Sequence, residues 1–394
     1  MVISERRYRA FLDSRAGEGL RRSLVAVAAH DARSIAAGDR SYINFSSNDY
    51  LGLRFNETLI ARAKAWAEAW GVGSGASRLV TGNLDPFAPI EAKLARLKGK
   101  PTALVMASGF QTNAAALQAL LDRSVLGAEP LVFADRLNHA SMHFGCQAAG
   151  ARQIRYRHCD ASHLGELLDR YRGDDRPKFI LTESVFSMDG DVAPLAEIAR
   201  LARAHEACLI VDDAHATGIL GEGGSGLSGE ADIVIGTFSK ALGSFGGFVA
   251  SSETVRDYLI NRCAGVIYST ALPPPVLGAI DAALDIVPGM EAERAFVAGL
   301  AERFRARARA AGLDTGRSTT QIVPVILGSP EAALAMSERL RQAGLWVSSI
   351  RPPTVPPGTA RLRLAFTAVH QETDIDRLLE VLAGKDASPR AKAV

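Results

Sequence analysis

Two stretches near the middle of the chain, CLIVDDAHATG (208–218) and DIVIGTFSKALGSFGGFVAS (232–251), decide the fold. Each opens with a continuous apolar run and lacks the polar alternation of a strand that has one face in water. The opening run of each stretch then ends in polar residues and glycine. Continuous apolar strands are typical of a mainly parallel sheet that helices cover on both faces. The two stretches therefore predict an α/β fold.

The same pattern continues on the amino-terminal side of these stretches. Apolar runs recur as ALVM (103–106), LVFA (131–134) and FILTESVF (179–186). AAALQALL (114–121) has the spacing of a helix, and PLAEIARLARAHEA (194–207) predicts a helix because proline is favoured in a first helical turn. Strands that alternate with helices in this way indicate a parallel sheet built from crossover connections.

The pattern changes near Pro288, where a smaller α+β unit begins. It comprises a charged helix (291–311), strands at IVPVILG (322–328), WVSSI (346–350) and ARLRLAF (360–366), and helices at 331–343 and 372–384. We therefore predict a helical amino-terminal arm over 1–45, a large α/β domain over 46–287, a small C-terminal α+β domain over 288–384 and a flexible tail over 385–394.

Composition narrows the class of protein. The chain has 394 residues, of which 47% are hydrophobic and 22% charged, and its formal net charge is +2. A disordered chain needs lower hydrophobicity and higher net charge, and a nucleic-acid binder usually has a stronger basic excess. No apolar run reaches the ~18 residues of a membrane-spanning helix, and the first residues lack the apolar core of a secretory signal. We expect a cytoplasmic protein that binds neither membrane nor nucleic acid.

The cysteines give no sign of a metal centre. Cys146, Cys159, Cys208 and Cys263 lie far apart and lack the paired spacing of a zinc site. Asp212 and His215 could in principle bind a metal, but no third ligand is near them in the sequence. We predict that the protein has no metal.

Lys240 and Asp212 carry the clearest signs of chemistry. Each lies at or just beyond the carboxyl end of a predicted strand, where parallel sheets bind ligands. A lysine in this position can be a solvated loop residue or can form a Schiff base with a carbonyl group. An aspartate there can cap a helix, bind a metal or pair with the pyridine nitrogen of pyridoxal phosphate.

Three further segments fit that cofactor without requiring it. Ser108-Gly109-Phe110 lies between a predicted strand and a helix, and backbone N–H groups at a helix start bind phosphate. Such turns are common in α/β proteins, and the glycine-rich stretch 71–82 can equally be a flexible loop. His139 follows the LVFA strand and can serve the structure or stack on a flat ring.

Taken together, these segments resemble the α-oxoamine synthase family of pyridoxal-phosphate enzymes, over about Arg21 to Leu382. The family's motifs occur in the family's order as FSSNDYLGL (45–53), GSGASR (73–78), NHAS (138–141), ESVFSMDGD (183–191), VDDAHATG (211–218), TFSKALG (237–243), YSTALPP (268–274) and IRPPTVPPGTARLRL (350–364). The resemblance implies pyridoxal-phosphate transferase fold type I, with a mainly parallel seven-stranded sheet in the large domain. It also implies a homodimer with shared active sites.

Within the family, the segment 350–364 looks most like members that condense L-alanine with a pimeloyl thioester, with loss of carbon dioxide, in biotin biosynthesis. The acyl carrier would be coenzyme A or acyl carrier protein. Alternatives are a sister α-oxoamine synthase, such as a 2-amino-3-ketobutyrate CoA ligase or a long-chain acyl-CoA:amino acid acyltransferase. A non-catalytic regulatory subunit is a further alternative, and the presence of Lys240 argues against it.

The resemblance also implies roles for individual residues. The catalytic residues would be Lys240, which forms the Schiff base and moves the α-proton, Asp212 at the pyridine nitrogen, and His139 stacked on the ring. The other cofactor-binding residues would be Ser108, Gly109, Phe110, Thr237 and Ser239 around the phosphate, Ser187 and His215 near the ring hydroxyl, and Thr270 at the phosphate of the neighbouring subunit. Substrate would contact Asn48, Arg363 at the amino-acid carboxylate, and Arg351 and Arg21 along the acyl path.

Overall fold

The computed structural model describes residues 3–384, so the tail predicted over 385–394 lies outside the described residues. By internal packing the chain forms two units. The sheet unit consists of Asn48–Ser187 and Asp191–Ala295, and the terminal unit consists of the described parts of Met1–Ser47, Met188–Gly190 and Phe296–Val394. The domain boundaries predicted from the sequence remain predictions.

The described residues form thirteen strands and fourteen α-helices. The strands are β1 (Ser34–Ala37), β2 (Arg40–Asn44), β3 (Thr102–Met106), β4 (Leu131–Asp135), β5 (Gln153–Tyr156), β6 (Lys178–Glu183), β7 (Ala207–Asp212), β8 (Ile233–Thr237), β9 (Gly247–Ser251), β10 (Ile322–Gly328), β11 (Leu345–Trp346), β12 (Ser348–Ile350) and β13 (Ala360–Ala365). The helices are α1 (Ile3–Gly17), α2 (Glu57–Trp70), α3 (Phe87–Lys98), α4 (Gly109–Leu120), α5 (Arg123–Leu126), α6 (Ala140–Ala148), α7 (Ala161–Arg170), α8 (Leu195–Ala204), α9 (Glu253–Arg262), α10 (Ala264–Ile267), α11 (Pro274–Ile286), α12 (Glu291–Ala310), α13 (Pro330–Gln342) and α14 (Glu372–Leu382).

A seven-stranded sheet forms the centre of the sheet unit, in the order β3-β9-β8-β7-β6-β4-β5. Only β9 runs against its neighbours, because it pairs antiparallel with both β3 and β8 while the other pairs are parallel. The predicted α/β fold with a mainly parallel seven-stranded sheet is therefore confirmed.

Burial explains why the strands lack alternation. Every residue of β3, β4, β8 and β9 is buried. A strand with helices on both faces has no side for polar residues, so valine, isoleucine and phenylalanine fill it. The run predicted as a strand through Phe186 ends earlier, at Glu183, because the chain turns there and Val185 pairs with Val192.

The terminal unit contains two three-stranded sheets, β1-β2-β11 and β10-β13-β12. The helices and two of the strands predicted beyond Pro288 are present, but the predicted strand WVSSI (346–350) is divided at Val347 between β11 and β12, which belong to different sheets. The helical arm predicted over 1–45 is wrong beyond Gly17, since β1 and β2 form an antiparallel pair there. β2 then pairs in parallel with β11, a partner about 300 residues away, and local patterns carry no record of such a contact. Among residues 3–384, no helix has the length and apolar character needed to cross a membrane.

Helices α4 and α6 pack closely at Gly145. A methyl group built on Gly145 would lie 2.7 Å from Cβ of Leu117 and 2.8 Å from the carbonyl oxygen of Asn113. Both distances are far inside normal contact, and the second atom belongs to backbone that cannot move independently. Gly299 in α12 offers a matched comparison, because a methyl group there meets nothing within 4 Å.

We expect Gly145→Ala to lower the free energy of unfolding by about 1–3 kcal/mol, because overpacking outweighs the helix propensity that alanine gains. Gly299→Ala should raise it by about 0.4–1 kcal/mol. Urea unfolding followed by circular dichroism measures both. A stability gain of equal size in the two variants would contradict the close contact.

Candidate active site

A cavity of about 210 Å³ lies at the carboxyl ends of β6, β7 and β8, within the sheet unit. Its lining comprises Ser108, Gly109, Phe110, Asn113, His139, Ser141, Glu183, Asp212, Ala214, His215, Ile235, Gly236, Thr237, Ser239 and Lys240. Nine of the residues singled out in the sequence are among them. Parallel pairing produces this assembly, because it aligns the carboxyl ends of the strands along one edge.

One end of the cavity is built for an anion. Ser108 caps helix α4 by accepting a hydrogen bond from the backbone N–H of Gln111 at 3.3 Å. The first backbone N–H groups of α4, at Gly109 and Phe110, give this end of the cavity a partial positive charge. A methyl group on Gly109 would lie only 3.1 Å from Cβ of Thr237, so glycine lets the helix start approach the strand end.

Two hydroxyl groups line the same end. The Oγ1 atom of Thr237 lies 2.8 Å from the Oγ atom of Ser239, and the Thr237 hydroxyl donates to the carbonyl oxygen of Gly246 at 2.6 Å. The backbone N–H of Ser239 donates to the Thr237 hydroxyl oxygen at 3.2 Å. These bonds hold both hydroxyls in place beside the start of α4.

Asp212 presents a buried carboxylate to the cavity, with 6% of the residue exposed. Its Oδ1 accepts from the backbone N–H of Ala214 at 3.0 Å, and its Oδ2 accepts from the Asn113 amide at 2.6 Å. The same amide nitrogen also donates to the Ser141 hydroxyl at 3.0 Å. Each carboxylate oxygen of Asp212 is thus held in place by a donor. Sequence reasoning missed Asn113, which lies one turn inside α4.

His139 caps helix α6, and its Nδ1 lies 2.6 Å from the Ser141 hydroxyl. Burial lowers the pKa of His139, and the nearby Asp212 carboxylate offsets this only in part. A neutral imidazole is therefore favoured at neutral pH. His139 therefore presents a flat, uncharged ring to the cavity, and such a ring suits stacking on an aromatic ligand.

Glu183 is a second carboxyl group in the cavity that sequence reasoning did not assign. It ends β6 directly beside Asp212 at the end of β7, and 3% of the residue is exposed. Burial raises the pKa of Glu183 well above its usual value, and the Asp212 charge raises it further. The sequence did contain a signal for Glu183, because it lies at the end of an apolar strand as Asp212 does.

His215 is held by a tyrosine that sequence reasoning also missed. The hydroxyl oxygen of Tyr50 lies 2.7 Å from Nδ1 of His215, and the same hydroxyl contacts Oδ1 of Asn48 at 3.2 Å. Tyr50 is fully buried. Its phenol ring had no sequence signal beyond the FSSNDYLGL motif, because its partner is 165 residues away.

Six of the predicted site residues do not line this cavity: Ser187, Thr270, Asn48, Arg21, Arg351 and Arg363. Thr270 lines a separate small cavity with Arg78, and its backbone pairs with Ser77. The three arginines belong to the terminal unit, where Arg363 is buried in β13 and Arg351 donates to the backbone carbonyl of Gly19. The roles given to all six remain predictions.

Asp135, His158 and Cys159 form a cluster of potential metal ligands among residues 3–384. The two ring nitrogens of His158 each lie 3.0 Å from a carboxylate oxygen, one of Asp135 and one of Asp191. Burial acts against the charged ring, yet the bonds to the two carboxylates raise the pKa of His158 to about 12. Each ring nitrogen of His158 is thus paired with a carboxylate, an arrangement that suits a buried ion-pair network.

The residues of the cavity fit pyridoxal phosphate. An amine, a buried carboxylate, a flat neutral ring and an anion-binding helix start are the four groups that this cofactor requires. Lys240, Asp212, His139 and the Ser108–Phe110 turn supply them from one contiguous cavity.

Comparison with known proteins agrees with this chemistry. The family model for aminotransferase class I and II matches residues 40–382. An 8-amino-7-oxononanoate synthase of Gluconacetobacter diazotrophicus is 56% identical over 347 residues, which cover 87% of each chain. Among solved structures, a serine palmitoyltransferase variant from S. paucimobilis with a bound pyridoxal phosphate–myriocin aldimine is 27% identical, covers 98% of both chains and has a TM-score of 0.89. The 8-amino-7-oxononanoate synthase of Francisella tularensis is 28% identical and covers 87% of this chain and 97% of its own, with a TM-score of 0.75. The chain therefore belongs to the class I and II aminotransferase family, as one of its pyridoxal-phosphate-dependent α-oxoamine synthases.

Proposed function

We propose that the protein catalyses the 8-amino-7-oxononanoate synthase reaction of biotin biosynthesis. In this reaction L-alanine condenses with a pimeloyl thioester, and carbon dioxide and the free thiol are released. The observation that carries the proposal is the sequence identity of 56%, over 87% of the chain, to a synthase of that name. The cavity that unites Lys240, Asp212 and His139 supports it chemically.

Pyridoxal phosphate, when bound, supplies an electron sink for negative charge at the α-carbon of the amino acid. Asp212 keeps a proton on the pyridine nitrogen, because its buried carboxylate stabilises the positive charge there. His139 stacks on the ring and fixes its plane. The start of α4 holds the phosphate, together with Thr237 and Ser239.

Lys240 holds the cofactor at rest and moves the α-proton of alanine during the reaction. Its position just beyond β8 places the amine at the edge of the sheet where Asp212 and His139 also lie. Ser187 and His215 contact the ring hydroxyl in this proposal. With the cofactor ring held by Asp212 and His139, Lys240 would act on one face of that ring.

The substrates are bound by residues outside the cavity lining. Arg363 pairs with the alanine carboxylate, since a guanidinium binds a carboxylate through two hydrogen bonds. Asn48 faces the same substrate, and Arg351 and Arg21 line the acyl path. The acyl carrier is coenzyme A or acyl carrier protein.

The proposal includes a cytoplasmic homodimer whose two active sites are each completed by the partner. Thr270 lies in a different cavity from Lys240, and its neighbour Tyr268 is 83% exposed, so this segment is available to a second copy. The free thiols of Cys146, Cys159, Cys208 and Cys263 are typical of a reducing compartment.

A substrate panel tests the reaction. We expect turnover with L-alanine and pimeloyl thioester to exceed turnover with glycine or serine and with acetyl or long-chain thioesters. Mass spectrometry of the product, with thiol release as a second readout, makes the measurement. Preference for glycine with acetyl-CoA would indicate a 2-amino-3-ketobutyrate ligase, and preference for a long-chain thioester would indicate an acyltransferase. Absence of turnover with every pair, despite bound cofactor, would indicate a regulatory subunit.

Two adjacent aspartates provide a matched test of the cofactor site. Asp213 forms a buried ion pair with Lys98 at 2.5 Å and accepts from the backbone N–H of Leu227, so its carboxylate serves the fold. Asp212 instead accepts from the backbone N–H of Ala214 and from the Asn113 amide at the cavity. The same substitution, aspartate to asparagine, therefore separates chemistry from stability.

We expect Asp212→Asn to lose turnover by more than it loses cofactor affinity, because a charge-assisted hydrogen bond of about 1.5–3 kcal/mol to the pyridine nitrogen is removed. Its free energy of unfolding without cofactor should fall by about 1–3 kcal/mol, less than in Asp213→Asn, because the new NH2 group faces one of the two donors that Asp212 accepts from. Asp213→Asn should lose about 3–5 kcal/mol of stability, because it leaves Lys98 charged and buried. Steady-state kinetics, cofactor titration and urea unfolding measure these quantities. Near-normal turnover in Asp212→Asn would refute its role.

Subunit mixing tests the shared active site. Thr270→Ala should bind cofactor about 10- to 150-fold more weakly, from the loss of one bond to a charged group, and should be mostly inactive at limiting cofactor. Lys240→Ala should be inactive at any cofactor level. In a mixed dimer one site carries both defects and the other carries neither. Activity at limiting cofactor should therefore recover to at most half that of the wild-type dimer.

If Thr270 serves its own chain, every site of the mixed dimer keeps one defect and no activity returns. Native mass spectrometry confirms that mixed dimers have formed. A mixture of Lys240→Ala with itself, dissociated and reassociated in the same way, is the control for the procedure.

A further inference from the structure

The backbone of Thr270 is held by a short segment that lies about 190 residues earlier in the chain. Thr270 itself is exposed. Its backbone forms an antiparallel bridge with Ser77, and the next backbone N–H, that of Ala271, donates to the carbonyl oxygen of Ala76 at 3.0 Å. The position of the exposed threonine therefore depends on the position of Ala76 and Ser77.

These two residues lead directly into a single wide helical turn, Arg78–Gly82. The backbone N–H of Gly82 closes the turn by donating to the carbonyl oxygen of Ser77, five residues back, at 2.9 Å. A methyl group on Gly82 would overlap the carbonyl oxygen of Ala76 and would lie 3.0 Å from Cβ of Ala271. Turns of this width are rare and occur frequently at functional sites. The turn is thus packed directly against the segment that carries the exposed threonine.

Arg78 begins this turn and ties it to its surroundings through the whole guanidinium group. Its Nε and Nη2 atoms both donate to Oδ1 of Asn83, at 2.8 and 2.7 Å. The group also forms an ion pair with Glu91, in which Nη2 lies 3.1 Å from Oε2, and Nη1 donates to the carbonyl oxygen of Val105 at 3.3 Å. Its Cζ atom lies 4.1 Å from the centre of the Phe87 ring. Arg78 therefore joins the turn to helix α3 and strand β3.

Glu91 fixes the other side of this ion pair. Its Oε1 accepts the backbone N–H of Val105 at 2.7 Å, so both charged groups are bonded to the same residue of β3. The side chains of Arg78 and Glu91 are 14% and 16% exposed. A guanidinium has five N–H donors in one plane, whereas the amine of a lysine is a single nitrogen that cannot reach all of these acceptors. The arrangement therefore requires an arginine and not merely a positive charge.

We propose that Arg78 is a positioning residue, which holds Thr270 where it contacts the cofactor phosphate. The inference rests on the proposed function, which assigns Thr270 to that phosphate. Arg78 acts through the turn and the backbone bridge, and it does not line the cavity that contains Lys240. Loss of the guanidinium therefore weakens cofactor binding only to the extent that Thr270 contributes to it.

A double-mutant cycle on cofactor affinity tests this route. We expect Arg78→Lys to weaken binding by roughly 3-fold at least, and by no more than the 10- to 150-fold expected of Thr270→Ala. Adding Arg78→Lys to Thr270→Ala should weaken binding no further, because the first change acts through the residue that the second removes. Absorbance titration of the cofactor-free protein with pyridoxal phosphate measures the four dissociation constants. Additive losses would overturn the proposal, as would wild-type affinity in either single variant.

Arg294→Lys is the matched control for loss of stability. Arg294 is a buried arginine of the sheet unit that pairs with Glu291 at 2.6 Å and donates to the carbonyl oxygen of Val287 at 2.7 Å. It does not line the cavity. Urea unfolding without cofactor compares the stability that the two lysine variants lose, and Arg294→Lys should keep the wild-type cofactor affinity. An equal loss of affinity in both variants would mean that destabilisation alone weakens the site, and the proposal would fail.

Subunit mixing separates this inference from the shared active site. Mixed dimers of Arg78→Lys with Lys240→Ala should regain activity at limiting cofactor, as mixed dimers of Thr270→Ala with Lys240→Ala should. Recovery with Thr270→Ala but not with Arg78→Lys would overturn the role of Arg78 and leave the shared site in place. If neither mixture recovers while the cycle remains non-additive, the shared site fails and the role of Arg78 toward Thr270 stands.

Discussion

Parallel pairing of β6, β7 and β8 is the constraint on which the active site depends. The register places Glu183 beside Asp212, and Lys240 follows the next strand at the same edge. The hydrogen-bond ladder between the strands sets the distances between these residues, although they are far apart in the sequence. Glu183 and Asp212 are thus mounted on buried strand ends of the sheet unit.

Most of the residues that line the cavity could be predicted from the sequence, but the residues that hold them in place could not. Lys240 and Asp212 were predictable because each follows an apolar run, and the end of a parallel strand is where ligands bind. Asn113 and Tyr50 were not, since their partners lie 99 and 165 residues away and an amide or a phenol inside a helix or loop resembles any other. The strands β1 and β2 were missed although they form a hairpin across Gly38 and Asp39, a turn composition that favours one. Only β2 also pairs with β11, far along the chain.

Adjacent residues in this chain can serve opposite purposes. Asp212 and Asp213 are both buried, and they share one motif, yet one faces polar donors around the cavity and the other faces the ammonium group of Lys98. A residue's type and position in a motif do not distinguish these environments. The distinction arises because side chains alternate from one side of the strand to the other at its end. In the proposed function, the chemistry of the cofactor and the stability of the fold would therefore depend on two residues joined by a single peptide bond.

The contact between α4 and α6 at Gly145 also bears on the size of the cofactor that the cavity can bind. Helix α4 starts at the anion-binding end of the cavity, and α6 starts at His139, which would stack on the ring. Because a methyl group on Gly145 would lie 2.7 Å from Cβ of Leu117 and 2.8 Å from the carbonyl oxygen of Asn113, the close contact would fix the distance between a phosphate bound at the start of α4 and a ring stacked on His139. The site should accordingly discriminate against cofactor analogues with a phosphate arm one methylene longer, even though every polar partner of the phosphate would still be present.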